Sequence, residues 1–129
     1  MYWNVWPPSV DNAVYQSNCD PDAVHSPQAD AYVAAYKAKF GASVTQTVTP
    51  VPGFYDAVNI IASVVKANHG DVSPTSIVNG LKTLDYTGVC GEYKTDSENN
   101  MGHTAWIVSL KGGPAQKSLI TTYTNLASH

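Results

Sequence analysis

A thiol flanked by an imidazole is the most reactive pairing this sequence offers. Cys90 is the candidate nucleophile, and His25, His69 and His103 are the imidazoles that would have to activate it. A thiolate mechanism also needs a third group to orient the imidazole. No local spacing of that kind surrounds Cys90, so the residue reads as a buried structural cysteine or half of a disulfide. Zinc requires Cys or His ligands in closely spaced pairs. Here two cysteines and four histidines stand singly along the chain, and no metal site is predicted. Paired carboxylates for acid–base work are equally absent. Asp20 and Asp22 sit in a proline-containing loop, and Glu92, Asp96 and Glu98 sit near a turn, where solvation is their usual role. Gly88, Gly91 and Gly102 lack the lysine and the strand-to-helix setting of a phosphate-binding loop, so no nucleotide or other cofactor is expected. The residues therefore point away from catalysis.

A further feature concerns binding rather than reaction. Pro50 to Val58 reads as an extended, proline-punctuated break that leads directly into an amphipathic helix. The start of a helix offers free N–H groups and partial positive charge, and aromatic side chains there can line a small-molecule pocket. Phe54 and Tyr55 are the candidates. The competing expectation is that both are the first core-facing residues of a buried helix.

The elements that must position these groups follow from caps and periodicity. Residues 1–6 are aromatic and β-branched and read as a short strand; residues 7–26 lack periodicity and read as a long irregular connection. Ser26-Pro27 opens a helix that Gly41 closes. Val44 to Val48 alternates like a strand. A second helix runs from Phe54 to about Asn68, with Tyr55, Val58, Ile61, Ala62 and Val65 as its packing stripe and His69-Gly70 as its end. Ser73-Pro74 starts a third helix reaching Leu84. Thr87 to Lys94 is glycine-punctuated and strand-like, 96–102 is a polar turn, and His103 to Leu110 is a strand ended by Gly112-Gly113-Pro114. Leu119, Ile120 and Tyr123 belong to a last strand or an ordered tail. Four or five strands are few for a sheet covered on both faces, which suggests that an N-terminal portion precedes this segment.

Composition narrows the partners. Of 129 residues, 43% are hydrophobic and 13% charged, and the net charge is -3. All seven basic residues are lysines, so neither the bidentate arginine fork nor a basic stripe is present, and nucleic acid is excluded as an expected partner. No apolar run approaches the ~20 residues that span a bilayer. Cys19 and Cys90 either close a long loop as a disulfide in an oxidising compartment or remain two buried thiols.

In order along the chain, these landmarks resemble the type I periplasmic binding proteins of the branched-chain amino-acid and amide class. Ala31 to Gly41 is similar to that family's "F-x-x-x-Y-x-x-x-F/Y-G" helix, and Phe54 to Ala62 to its "Y-D-A-V" helix. Ser73 to Leu84 matches the short helix that follows. Thr87 to Asp96 matches the "G-x-x-G-x-x-x-F-D" hairpin, with Tyr93 in the phenylalanine position.

The resemblance implies an α/β, Rossmann-like three-layer fold of which residues 1–129 are the C-terminal portion of a two-lobed protein. Residues 1–6 would be a strand from the hinge or second lobe, 27–85 mainly helices of one lobe, and 86–112 a hairpin and return strand. It implies a non-enzymatic solute-binding component of an ABC transporter that closes on an amino acid or similar small polar metabolite and presents it to a membrane permease. Val51 occupies the family's cleft position before the "Y-D-A-V" helix, and Phe54, Tyr55 and Trp6 would supply aromatic surface. A ligand-sensing receptor ectodomain of the same fold is the alternative, and a small free-standing Cys/His enzyme a third. The first 16 residues hold no export signal, so a periplasmic or extracellular location implies one upstream. Apolar faces left without lobe partners would favour a homodimer.

Overall fold

The computed structural model describes residues 12–41, 51–110 and 117–126. The expected strands at 1–6 and 44–48, Trp6 and the 112–114 turn lie outside the described residues.

Helix α1 (Pro27–Phe40) begins as its caps require. The Ser26 hydroxyl accepts the Ala29 N–H at 3.1 Å, Pro27 fills the first turn, and the Gly41 N–H closes on the Lys37 carbonyl. Helix α2 (Val51–Ala67) starts three residues earlier than the sequence indicates. The expected break at Val51-Pro52-Gly53 is helical because proline in a first turn lacks only an N–H that would find no partner there. Helix α3 (Pro74–Lys82) is capped by Ser73, whose hydroxyl accepts the Ser76 N–H. α3 crosses α2 closely at Gly80, where a Cβ would lie 2.4 Å from a Val64 methyl, and Asn68 donates across the contact to the Ser76 carbonyl.

Among the described residues five strands form one sheet, and every described pairing is antiparallel. These are β1 (Val14–Ser17), β2 (Asp85–Gly88), β3 (Gly91–Thr95), β4 (Met101–Leu110) and β5 (Lys117–Leu126). β4 is central: β5 runs beside it from His103 to Leu110, β1 pairs with residues 106–109, and β3 pairs with 101–103. β1 corrects the irregular reading of residues 7–26. Four residues carry too little periodicity to declare a strand, and it is the backbone of β4, some 90 residues on, that supplies the ladder. The strand-like run from Thr87 resolves into a tight hairpin with Val89 and Cys90 at its tip, and the tail after residue 117 is a strand.

Buried side chains gather in three clusters. Trp106 and Val108 of β4 pack with Ala23; Ala29 and Tyr32 of α1 pack with Val89; Ile60 and Val64 of α2 pack with Leu84, with Tyr86 and Tyr93 against them. The third cluster overturns an expectation about α2. Of the stripe predicted to pack inward, Tyr55, Val58, Ile61 and Ala62 are exposed and Val65 is half-buried, whereas Pro52, Asp56, Ile60 and Val64 are buried. The helix is apolar on both faces, so periodicity alone does not choose between them.

Cys19 and Cys90 are joined by a disulfide that ties the segment after β1 to the β2–β3 tip, across 71 residues of chain. A loop of that length is expected to contribute up to about 4 kcal/mol by restricting the unfolded chain. Reduction, or Cys19→Ser with Cys90→Ser, should therefore shift the urea unfolding midpoint markedly downward. An unchanged midpoint after complete reduction would show that the bridge contributes nothing to the fold.

Candidate functional site

Asp56 lies one turn into α2 and is fully buried. Its carboxylate accepts the Val89 N–H at 2.9 Å, the Cys90 N–H at 2.7 Å and the Tyr93 hydroxyl at 3.2 Å. Three donors to one buried carboxylate replace the water it has lost. The hairpin tip can approach only because residue 88 is glycine, since a Cβ there would stand 2.5 Å from the Asp56 carboxyl carbon. The aspartate thus acts as a clamp between α2 and the β2–β3 hairpin, with its oxygens committed to the backbone.

Above this clamp α1, α2 and β2 leave an open groove with a cavity volume of about 780 Å³. Its walls carry several rings, Tyr32, Tyr36 and Phe40 from α1, Tyr55 from α2 and Tyr86 from β2, with Gln28, Lys39, Asp56 and Asn59 as polar members. The rings form a ladder. Tyr55 and Tyr32 have centroids 5.2 Å apart, Tyr32 and Tyr36 5.7 Å, and Tyr36 and Phe40 4.7 Å, the spacings of favourable tilted ring pairs. Tyr32 is buried, and its hydroxyl is the one buried side-chain polar atom without a hydrogen-bond partner among the described residues. Burial, followed by the neighbouring Tyr36, pushes its phenol above the usual tyrosine range. Such a groove can hold a small, partly apolar molecule.

The structure separates the residues that the sequence singles out. Tyr55 lines the groove, whereas Phe54 and Val51 point outward from α2 and neither is core-facing. Cys90 is bonded to Cys19, which removes the thiol on which a Cys/His enzyme depends. His25 pairs with Asp30 on the surface, and a His103 ring nitrogen lies 2.8 Å from the Thr104 carbonyl. No group of three or more His, Cys, Asp or Glu able to hold a metal stands together among the described residues. Sequence reasoning missed Tyr32, Tyr36 and Tyr86, which come together only where α1, α2 and β2 meet in the fold. It also passed over Asp56, although Asp56 is the acidic residue of the quoted "Y-D-A-V" segment.

A second buried carboxylate flanks the other half of the disulfide. Asp20 is fully buried, accepts the Tyr15 hydroxyl, and receives the Lys117 ammonium at 2.9 and 3.2 Å on its two oxygens. This pair links the loop after β1 to the first residue of β5.

Comparison with known proteins agrees with this architecture. Residues 6–114 match the family model described as periplasmic binding protein. Among solved structures, the chain is similar to a leucine-binding protein of Thermotoga maritima, at 18% identity and a TM-score of 0.67 over 89% of this chain and 31% of that one. It is similar to the branched-chain amino acid transporter substrate-binding protein of Streptococcus pneumoniae in complex with isoleucine, at 26% identity and 0.66 over 85% and 30%. A solute-binding protein of an ABC transporter from Rhodopseudomonas palustris BisB5, in complex with 3,4-dihydroxybenzoic acid, gives 17% identity and 0.77 over 96% and 34%. The chain therefore spans about a third of the length of these structures. No curated protein matches it.

Two outcomes are expected from the buried carboxylates and their tyrosines. Asp56→Asn replaces an acceptor oxygen by a donor facing backbone N–H groups, and should cost about 3 kcal/mol of stability, measured by urea unfolding. Tyr15 and Tyr93 are both held above the ordinary tyrosine value of 10.0, first by burial and then by the charge and hydrogen bond of Asp20 and of Asp56 respectively. Because the folded-state values are the higher ones, the stability linked to these phenols is complete below pH 10 and declines as pH rises beyond it. There the unfolded chain releases protons that the folded chain retains. The unfolding temperature should fall above pH 10, and less steeply in Tyr93→Phe; identical slopes would remove Tyr93 from this linkage.

Proposed function

The chain belongs to the periplasmic binding protein family, and on that premise we propose that it is the C-terminal segment of a two-lobed, extracytoplasmic solute-binding component of an ABC importer. It takes the mixed helix-and-sheet fold of the type I members. In this reading the complete protein closes by a hinge around a small polar metabolite of the amino-acid or amide class and presents it to a membrane permease. The single observation that carries the reading is the family match, which extends over residues 6–114. The disulfide supports an oxidising location such as the periplasm. The role is binding rather than catalysis: the carboxylates of Asp56 and Asp20 are occupied by structural partners, and both cysteines are bonded.

The groove favours a second reading of the ligand. An aromatic ladder with Lys39 at one end suits a planar aromatic carboxylate, whose ring can lie among tyrosines while its charge meets the ammonium. The Rhodopseudomonas palustris relative was solved with a dihydroxybenzoic acid.

Titration calorimetry against branched-chain amino acids and hydroxybenzoates tests both readings. Tyr55→Ala is expected to weaken binding by about tenfold, the loss of one ring contact. Phe54→Ala should leave affinity unchanged, since that ring lies off the groove. Failure of every compound to bind would sink the groove as a ligand site, and equal affinity in Tyr55→Ala with unchanged stability would exclude Tyr55 from it.

A further inference from the structure

We infer that the Cys19–Cys90 disulfide is an oxidation-set switch on the aromatic groove, through which the chain gains its binding site only in an oxidising compartment. The groove lies on a seam between two separately anchored parts. One part is the loop after β1 together with α1. It is fixed at Asp20, which Tyr15 and Lys117 engage, and at Ala23, which packs with Trp106. The other part is α2 with the tip of the β2–β3 hairpin, fixed by the bonds from the Val89 and Cys90 N–H groups to Asp56. Tyr32, Tyr36 and Phe40 stand on the first part, and Tyr55, Tyr86 and Val89 on the second.

Across the seam, Ala29 and Tyr32 of α1 pack on Val89, and the Tyr32 ring lies 5.2 Å from that of Tyr55. The bridge is the covalent tie between the two parts, and Val89 is the residue next to Cys90. With the bridge closed, Val89 is held beneath α1. With the thiols free, the seat of α1 rests on apolar contact alone, while the sheet and the Asp56 clamp persist. A groove assembled for a fraction of the time binds its ligand more weakly by that fraction. Setting the switch is a two-electron oxidation. One cysteine thiolate attacks a disulfide-bearing oxidant, the second displaces the resulting mixed disulfide, and the oxidant leaves as a dithiol carrying both electrons and both protons. Each cysteine in the bridge is 2% exposed, so the finished bond is shielded from reductants and the switch is set once rather than toggled. The inference rests on the reading of the groove as a ligand site.

The test compares the oxidised chain with Cys19→Ala combined with Cys90→Ala, by calorimetric titration and amide hydrogen exchange. The probes are leucine, isoleucine, 4-hydroxybenzoate and 3,4-dihydroxybenzoate. The double variant is expected to bind at least about tenfold more weakly. Its amides at positions 89 and 90 should exchange faster, while those of Trp106 and Val108 in β4 keep their protection. Equal affinity in the two proteins overturns the switch and leaves the groove reading intact. An oxidised chain that binds none of the four compounds removes the groove reading, and the switch with it. Should the variant not fold in dilute buffer, both measurements are made in sucrose, which favours the compact state. A variant unfolded there as well, or one whose β4 amides lose protection together with 89 and 90, makes the bridge a tie for stability alone and overturns the switch.

Discussion

A carboxylate without water has to be surrounded by donors, and the burial of Asp56 organises most of what lies around it. Its three donors come from the β2–β3 hairpin, so α2 is held with Asp56 facing that hairpin. This decides which of two apolar faces of α2 packs inward. Residues 52, 60 and 64 share the arc of Asp56 and follow it into the core. The same bonds draw Gly88 and Cys90 into place, and Cys90 in turn is bonded to Cys19. One charge thereby couples helix, hairpin and disulfide.

Asp20 repeats the arrangement on the other side of the bridge. It follows Cys19 directly and is satisfied by Tyr15 and Lys117, which belong to strands on either side of β4. The disulfide is therefore anchored at both ends by buried, fully engaged carboxylates. The Asp56 end of this frame adjoins the groove. There five rings and one unpaired hydroxyl stand beside the polar Gln28, Lys39, Asp56 and Asn59, a lining suited to recognition by shape and stacking.

Much of the fold was legible because helix ends are written in local chemistry. Ser26-Pro27, Gly41, His69-Gly70 and Ser73-Pro74 act within a turn of their own position, and each stands where its capping chemistry predicts. The order of motifs carried the family in the same way. β1 was not legible, since four residues form a strand only because β4 offers them an edge. The start of α2 was missed because proline and glycine read as a break, whereas proline is well tolerated in a first turn. Of the site, Tyr55 was visible as an aromatic residue near a helix start, but Tyr32, Tyr36 and Tyr86 were not, because nothing local marks residues that meet across three elements.

By itself the sequence determined the helices, their caps and the family to which the chain belongs. Tertiary structure alone decided the inward face of α2, that Cys19 and Cys90 are bonded rather than two buried thiols, and the assembly of the groove. Caps and periodicities are satisfied within a few residues, whereas the burial of a charge depends on donors that are distant in the chain and adjacent only after folding.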